Sequence, residues 1–278
     1  MAELSRILKH LSGIWNRISR AEIGLIAAGV AFFGFLAIFP ALAAVIAIWG
    51  YASDPQVVSD QLVRLRDFLP AEAYSLVSNQ VQSLLARKSP QLGLASIFST
   101  VIALWSARAG VAALIGGLNA VHGLPARGGL RTLLRAMVLT LVLVGLVLAA
   151  LLLAVVMPLV LNLLPLGPAA SYAFALVNFA LSLLLVGFSI ALAYRLGPNR
   201  PRGRKPSKLA TPGLLLAIVL WAAVSRGLVF YLANFNSYNE VYGSIGAVVA
   251  LLMWFYLSTY AILLGAAVDA EFEPRHRQ

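Results

Sequence analysis

The 278-residue chain is 61% hydrophobic and 11% charged, against about 45–50% and about 25% in soluble domains, and its mean hydropathy is +0.89. These values exclude an ordinary soluble domain and point to an integral membrane protein. The absence of cysteine excludes disulfides, thiol catalysis and Cys-ligated metals. The net charge of +11 sits beside apolar spans, where positive-inside topology explains it without a nucleic acid partner.

The chain opens on an amphipathic pattern. Leu4, Ile7, Leu8, Leu11, Ile14, Trp15 and Ile18 recur at helical spacing, with Arg6, Lys9, Arg17 and Arg20 between them. Residues 1–22 are therefore expected to form a helix on the cytoplasmic leaflet, with basic side chains near anionic lipid headgroups. The competing arrangement is a helix docked on the protein's own loops.

Six apolar segments follow: Ile23–Tyr51, Leu92–Val121, Ala136–Leu161, Ala170–Tyr194, Leu214–Leu232 and Ser244–Val268. The first is too long for the apolar core of a cleaved signal and reads as a retained span. Between them the charge alternates. Connection 52–91 balances Arg64, Arg66, Arg87 and Lys88 against Asp54, Asp60, Asp67 and Glu72. Gly123–Arg135 holds three arginines and no acid. Asn162–Ala169 is uncharged, and Arg195–Ala210 holds six basic residues and no acid. Ala233–Gly243 carries only Glu240. The basic connections are the even ones, so both termini are expected in the cytoplasm.

The expected fold is all-α: a six-helix membrane domain over 23–274, the interfacial helix before it and a cytoplasmic tail at 275–278. Connection 52–91 predicts an external cap of two short helices. Asp54-Pro55 starts one, Val58, Leu62, Leu65 and Leu69 stripe it, and Pro70 breaks it. Ala73, Val77, Val81 and Leu84 start the next. Such a cap is either structural or a gate.

Charges inside spans single out two residues. Arg108 lies near the middle of the second segment and Arg226 in the fifth, somewhat toward the outside. An arginine at mid-membrane costs about 2.5–3.5 kcal/mol on insertion scales and normally faces a bundle interior or a wet cavity. No Asp or Glu lies deep in a span, which leaves Asn119, Asn178, Ser182, backbone carbonyls, water or an anionic ligand as partners. Two guanidinium groups in a low-dielectric cavity suit a phosphate or carboxylate. The alternative is that each arginine snorkels or caps carbonyls. Asn119 and Asn178 serve either that cavity or as hydrogen bonds between helices. Pro40 is expected to kink the first span. Trp254 and Tyr256 are too deep for an interfacial belt and are expected to line the interior. Asp269, Glu271 and Glu273 read as a solvated helix end.

The chain contains no Gly-rich Lys-Ser/Thr phosphate loop, and His10, His122 and His276 are isolated. No metal site and no cofactor is therefore expected.

The last span carries Tyr242-Gly243, Trp254 with Tyr256, and Leu264-Gly265-Ala266 followed by Asp269 and Glu271. Upstream stand Phe39-Pro40, Leu104-Trp105-Ser106, Leu118-Asn119 and Phe230-Tyr231. In this order and spacing the motifs resemble the YihY/BrkB family of bacterial inner-membrane proteins, over about Gly29 to Glu271. The family often has tyrosines and a serine in its first motif, where this chain has Phe32, Phe33 and Ala37. The resemblance implies a multi-pass protein of the inner membrane with envelope or virulence associations. It also brings the older label ribonuclease BN.

A transport protein moving an amphipathic or anionic molecule, a lipid or a small osmolyte, through a cavity lined by Arg108 and Arg226 is the leading functional reading. A ribonuclease would need metal-binding carboxylates or a poised acid and base, and no such cluster stands in the sequence. A non-transporting envelope scaffold is the third reading. The topology is open to direct test, because the natural chain has no cysteine. Single Ser75→Cys and Ser207→Cys variants in intact cells should label from outside and be protected, respectively; the reverse pattern would reject the assignment.

Overall fold

The computed structural model describes residues 2–52, 78–79, 91–125, 129–130, 133–146, 149, 168–200, 210–234 and 244–273. All the regular structure among the described residues is helical. In chain order the helices are α1 (Ala2–Arg20), α2 (Ile23–Ala52), α3 (Gln91–Val121), α4 (Leu133–Leu146), α5 (Pro168–Leu196), α6 (Pro212–Asn234) and α7 (Ser244–Phe272). The expected external cap lies outside the described residues except for Ser78 and Asn79, as do the whole of the basic stretch 201–209 and the later part of the third apolar segment.

Among the described residues four helical segments are long and apolar enough to cross a membrane: Val101–Val121, Tyr172–Leu196, Pro212–Tyr231 and Val248–Phe272. The count is five if α1 and the start of α2 form one broken span, bent by 52°. The break has a local cause. The amide of Ala21 still bonds to the Arg17 carbonyl at 2.9 Å, but Glu22 takes φ 49° and its own amide turns to Ser19 at 3.3 Å. Glu22 thus occupies the left-handed position that usually ends a helix at glycine. Its carbonyl then accepts from the Ile26 amide at 3.2 Å, and α2 begins. Helix α2 continues through Pro40 to Ala52.

The chain divides into two compact units. One comprises Met1–Ala28, Val111–Ser225 and Leu257–Gln278. Its interior is built from small side chains. Ala27, Ala217, Ala266 and Ala267 are fully buried, with Ile23, Leu118, Val121 and Leu263 as the larger fillers. Ile115 packs with Ala136 and Leu139, joining α3 to α4. Glycines permit the closest approaches. A β-carbon at Gly117 would press on Ile26 and Leu263 at 2.9 Å, and one at Gly187 would press on Ile218 at 2.9 Å. At Gly213 and Gly265 the two backbones themselves meet: a β-carbon on either would overlap the other's carbonyl oxygen. Lipid is as apolar as leucine, so helices in a bilayer associate through close packing and hydrogen bonds. Small residues where α6 crosses α7 meet that need.

The second unit comprises Gly29–Gly110 and Arg226–Tyr256. Here α3 approaches α2 at Gly110, where a β-carbon would sit 3.5 Å from that of Phe33. Gly34 faces the Phe255 ring at 3.7 Å, and the Trp254 and Phe255 rings lie 5.2 Å apart.

Across both units large apolar side chains point outward. Leu25, Phe32, Phe98, Leu176, Leu184 and Phe230 are each more than half exposed. Water-soluble monomers rarely expose so much apolar surface, whereas a lipid solvent requires it. The α6–α7 contact gives a specific expectation. Gly213→Val should lower thermal stability in detergent by about 1–3 kcal/mol, the usual cost of overpacking. Gly116→Ala, where nothing lies within 4 Å, should stay within about 0.5 kcal/mol of the parent or exceed it slightly.

Candidate functional site

Arg108 sits on α3 at partial burial. At about 100° per residue it shares a stripe with Val111, Ala112 and Ile115, away from the buried Ala103, Ser106 and Gly110. Its guanidinium carbon lies 4.5 Å from the centroid of the Trp105 ring, one turn back on the same helix. Trp105 itself is 61% exposed. The Nε of Arg108 is shielded from solvent and has no hydrogen-bond partner among the described residues. The charge is therefore balanced on one side by an aromatic face, worth about 0.5–2 kcal/mol, and among the described residues no carboxylate forms an ion pair with it.

The other residues singled out from sequence do not gather around it. Arg226 is exposed on α6, beside the exposed Val229 and Phe230. Asn119 is buried, and its Oδ1 accepts from the Asn199 amide at 2.7 Å, fixing the chain just beyond α5. That is the helix-joining role. Asn178 is partly buried, its Oδ1 without a hydrogen-bond partner among the described residues. Ser182 is committed to its own helix through the Asn178 carbonyl at 2.8 Å. Trp254 and Tyr256 are both partly buried.

The end of α7 departs most from expectation. Asp269, Glu271 and Glu273 are not merely a solvated terminus. Each engages a different element of the first unit. Asp269 reaches the start of α6: Oδ1 accepts from the Gly213 amide at 2.7 Å and Oδ2 from the Thr211 hydroxyl at 2.5 Å. Thr211 is the N-cap, its Oγ1 accepting from the Leu214 amide at 3.1 Å, with Pro212 in the first helical position. Two orphan amides at the positive end of the helix dipole are thus satisfied, one of them by a carboxylate.

Glu271 binds Arg17 of α1, Nε to Oε2 at 2.9 Å, and Arg17 donates in addition to the Val121 carbonyl at 3.2 Å. One guanidinium therefore joins α1, the end of α3 and the end of α7. His10 Nδ1 lies 3.8 Å from the same carboxylate, and the His10 and Phe272 rings are 5.1 Å apart. Gly13 leaves the space: a β-carbon there would meet the Glu271 carboxyl at 2.6 Å. Glu273 lies 4.0 Å from Arg200 Nη2, just beyond α5. His122, after α3, holds its Nδ1 2.8 Å from the Leu118 carbonyl, so that nitrogen carries the proton. Burial lowers its pKa below the ordinary histidine value, outweighing the hydrogen bond that raises it. The ring is neutral at pH 7 and adds no charge to this basic end.

Alternate spacing made this legible in part. On a helix Asp269 and Glu273 share a side while Glu271 faces elsewhere, so three acids in this pattern reach different neighbours. Thr211-Pro212 is also a helix-start signal. What no local pattern gives is that Asp269 and Thr211, far apart in sequence, cap the same helix. Among the described residues no group of three or more His, Cys, Asp or Glu is placed to hold a metal ion.

Loss of the shared cap should be measurable. Asp269→Ala should cost about 1–3 kcal/mol, the penalty for unmade buried hydrogen bonds, and Asp269→Asn less. A double-mutant cycle of Arg17→Met and Glu271→Gln should return a coupling of about 0.5–3 kcal/mol; strict additivity would show the pair to be idle.

The family described as "Virulence factor BrkB" matches residues 14–278. The chain is 30% identical to a "Putative ribonuclease-like protein" of Bacillus subtilis, over 97% of each chain. It is 42% identical to a UPF0761 membrane protein of Xanthomonas campestris, over 28% of this chain and 18% of that one. A UPF0761 membrane protein of Pseudoalteromonas translucida is 34% identical over 38% of this chain and 39% of its own. No solved structure matches significantly.

Proposed function

This chain belongs to the BrkB family of membrane proteins, and we propose that it is a transport protein of the bacterial inner membrane that moves an anionic or amphipathic molecule past Arg108. The observation that carries the reading is the state of that side chain. A guanidinium in an apolar span normally has a carboxylate, carbonyl or water to fill its donors. Here Trp105 covers one face, and Nε is shielded without a hydrogen-bond partner among the described residues. A passing phosphate or carboxylate would complete it in the bidentate geometry that Arg favours. Arg226, exposed farther along its own helix, is suited to attract such an anion from the headgroup region.

The proposed frame is the six-span arrangement with both termini in the cytoplasm and a helical cap outside, as the alternating basic connections require. The proposed substrate is a lipid or a small osmolyte. The rival reading comes from the ribonuclease-like name of the Bacillus relative. Phosphodiester cleavage uses a positioned acid and base or carboxylate-bound metal. The C-terminal carboxylates of this chain instead hold helix ends, which favours a structural role for them.

Reconstituted liposomes test the proposal with two probes, a fluorescent phosphatidylglycerol followed across the bilayer and glutamate efflux followed by light scattering. The parent protein should accelerate one of them. Arg108→Ala should abolish that activity while insertion and thermal stability persist, and Arg108→Lys should restore only part, lacking the planar fork. An Arg108→Ala protein that loses stability but keeps full specific activity would reject the site.

A further inference from the structure

Helix α1 presents two opposed edges, and among the described residues the protein engages one of them. At about 100° per residue, His10, Gly13 and Arg17 fall on one edge. These are the residues that meet Glu271, Phe272 and the Val121 carbonyl. Leu8, Leu11 and Trp15 fall on the opposite edge and are 60%, 55% and 68% exposed. Neither arrangement expected from sequence is sufficient alone: the helix is docked on its own protein, and the docking turns its apolar ridge outward.

We infer that α1 is a membrane-surface anchor that seats Leu8, Leu11 and Trp15 in a leaflet of anionic lipid, and that the Arg17–Glu271 ion pair sets its rotation. Three observations select lipid as the occupant. Lys9 and Arg20 are exposed on the polar side of the helix, beside the docked edge, and long basic side chains there can snorkel to an anionic headgroup layer. The helix runs into α2 through a 52° bend, a turn from a span toward the membrane plane. Leu25, at the start of α2, is 71% exposed, so outward apolar surface resumes directly after the turn. A helix lying at the interface buries its apolar face in the headgroup–acyl boundary and carries basic residues beside it, and tryptophan favours that depth.

Glu271 is then a positioning residue. Its carboxylate holds Arg17 at 2.9 Å while lying against Gly13, the closest polar contact that sets the direction of the ridge, with the Arg17–Val121 bond and the His10–Phe272 contact beside it. This differs from the general attraction of a basic peptide for lipid, because it predicts a defined face and a dependence on one carboxylate remote in sequence. It does not rest on transport at Arg108 and stands or falls separately.

The cysteine-free full chain allows the test. Nitroxide labels at Leu11→Cys and Asn16→Cys, the latter an exposed polar position, are compared in nanodiscs of phosphatidylethanolamine with phosphatidylglycerol. The Leu11 label should be more accessible to oxygen than to a water-soluble nickel chelate, and the Asn16 label the reverse. Phosphatidylcholine alone should weaken the contrast. Glu271→Gln should collapse it, and the exchanged pair Arg17→Glu with Glu271→Arg should recover part of it. If Glu271→Gln does not fold, Arg17→Met tests the same dependence from α1. Equal accessibility at the two labels in the parent protein would overturn the anchor. Dipolar broadening between Leu11 labels would assign the ridge to a second copy and overturn it equally. A contrast unchanged in both Glu271→Gln and Arg17→Met would overturn the positioning role.

Discussion

The arrangement of the first unit depends on how α7 ends. A membrane helix gains little from meeting another apolar helix, because lipid already satisfies its side chains. What specifies a neighbour must be something lipid cannot supply. At the end of α7 that is a set of carboxylates. Asp269 caps α6, Glu271 holds Arg17 of α1, and Glu273 lies near Arg200 beyond α5. Arg17 carries the connection to the terminal carbonyl of α3. Each contact joins helix ends, where backbone groups lack intrahelical partners and a charge is best placed to meet them.

Close backbone approach makes these bonds geometrically possible. Asp269 reaches the Gly213 amide where Gly213 and Gly265 leave no room for a β-carbon between α6 and α7. The Tyr194 hydroxyl donates to the Ile262 carbonyl at 2.5 Å in the same region. Glycine contact and carboxylate cap are two parts of one joint. This gives the Leu-Gly-Ala and acidic pattern in the last span a physical reason: the glycine admits α6, and the acid one turn later closes its first turn.

Much of the fold could be read from sequence because the determinants are local. The uncharged run from Ser244 onward can only be a helix in a bilayer, and α7 starts at Ser244. The amphipathic spacing at the N-terminus gives α1, observed over Ala2–Arg20. The helix break at Glu22 was not legible, since an acidic residue with positive φ carries no composition signal. The carboxylate partners were hidden for a different reason. Asp269 pairs across 58 residues with Thr211 and Glu271 across 254 with Arg17, and spacing along one helix says which side an acid faces but not what stands there. Asn119 illustrates the ambiguity from the other direction. A buried amide on an apolar helix fits a ligand site as well as a helix joint, and the Asn199 amide at 2.7 Å is a contact of the second kind that spacing along one helix does not reveal.

Arg108 is distinguished by contrast with these joints. Where the chain uses charge for structure, it matches the charge: Arg17 has a carboxylate and a carbonyl, and Asp269 has an amide and a hydroxyl. Those charges lie at helix ends, near the polar edge of a span, where matching is cheap. Arg108 lies within a span, with an exposed indole against one face and an Nε shielded from solvent without a hydrogen-bond partner among the described residues. Neutral residues of similar reach would fill this position at far lower desolvation cost. Beside joints as closely matched as those of Arg17 and Asp269, an arginine held in this way adds no evident stability. The physical asymmetry is the argument for the proposed function: the joints explain their charges by what they hold together, and the proposed anion would do the same for Arg108.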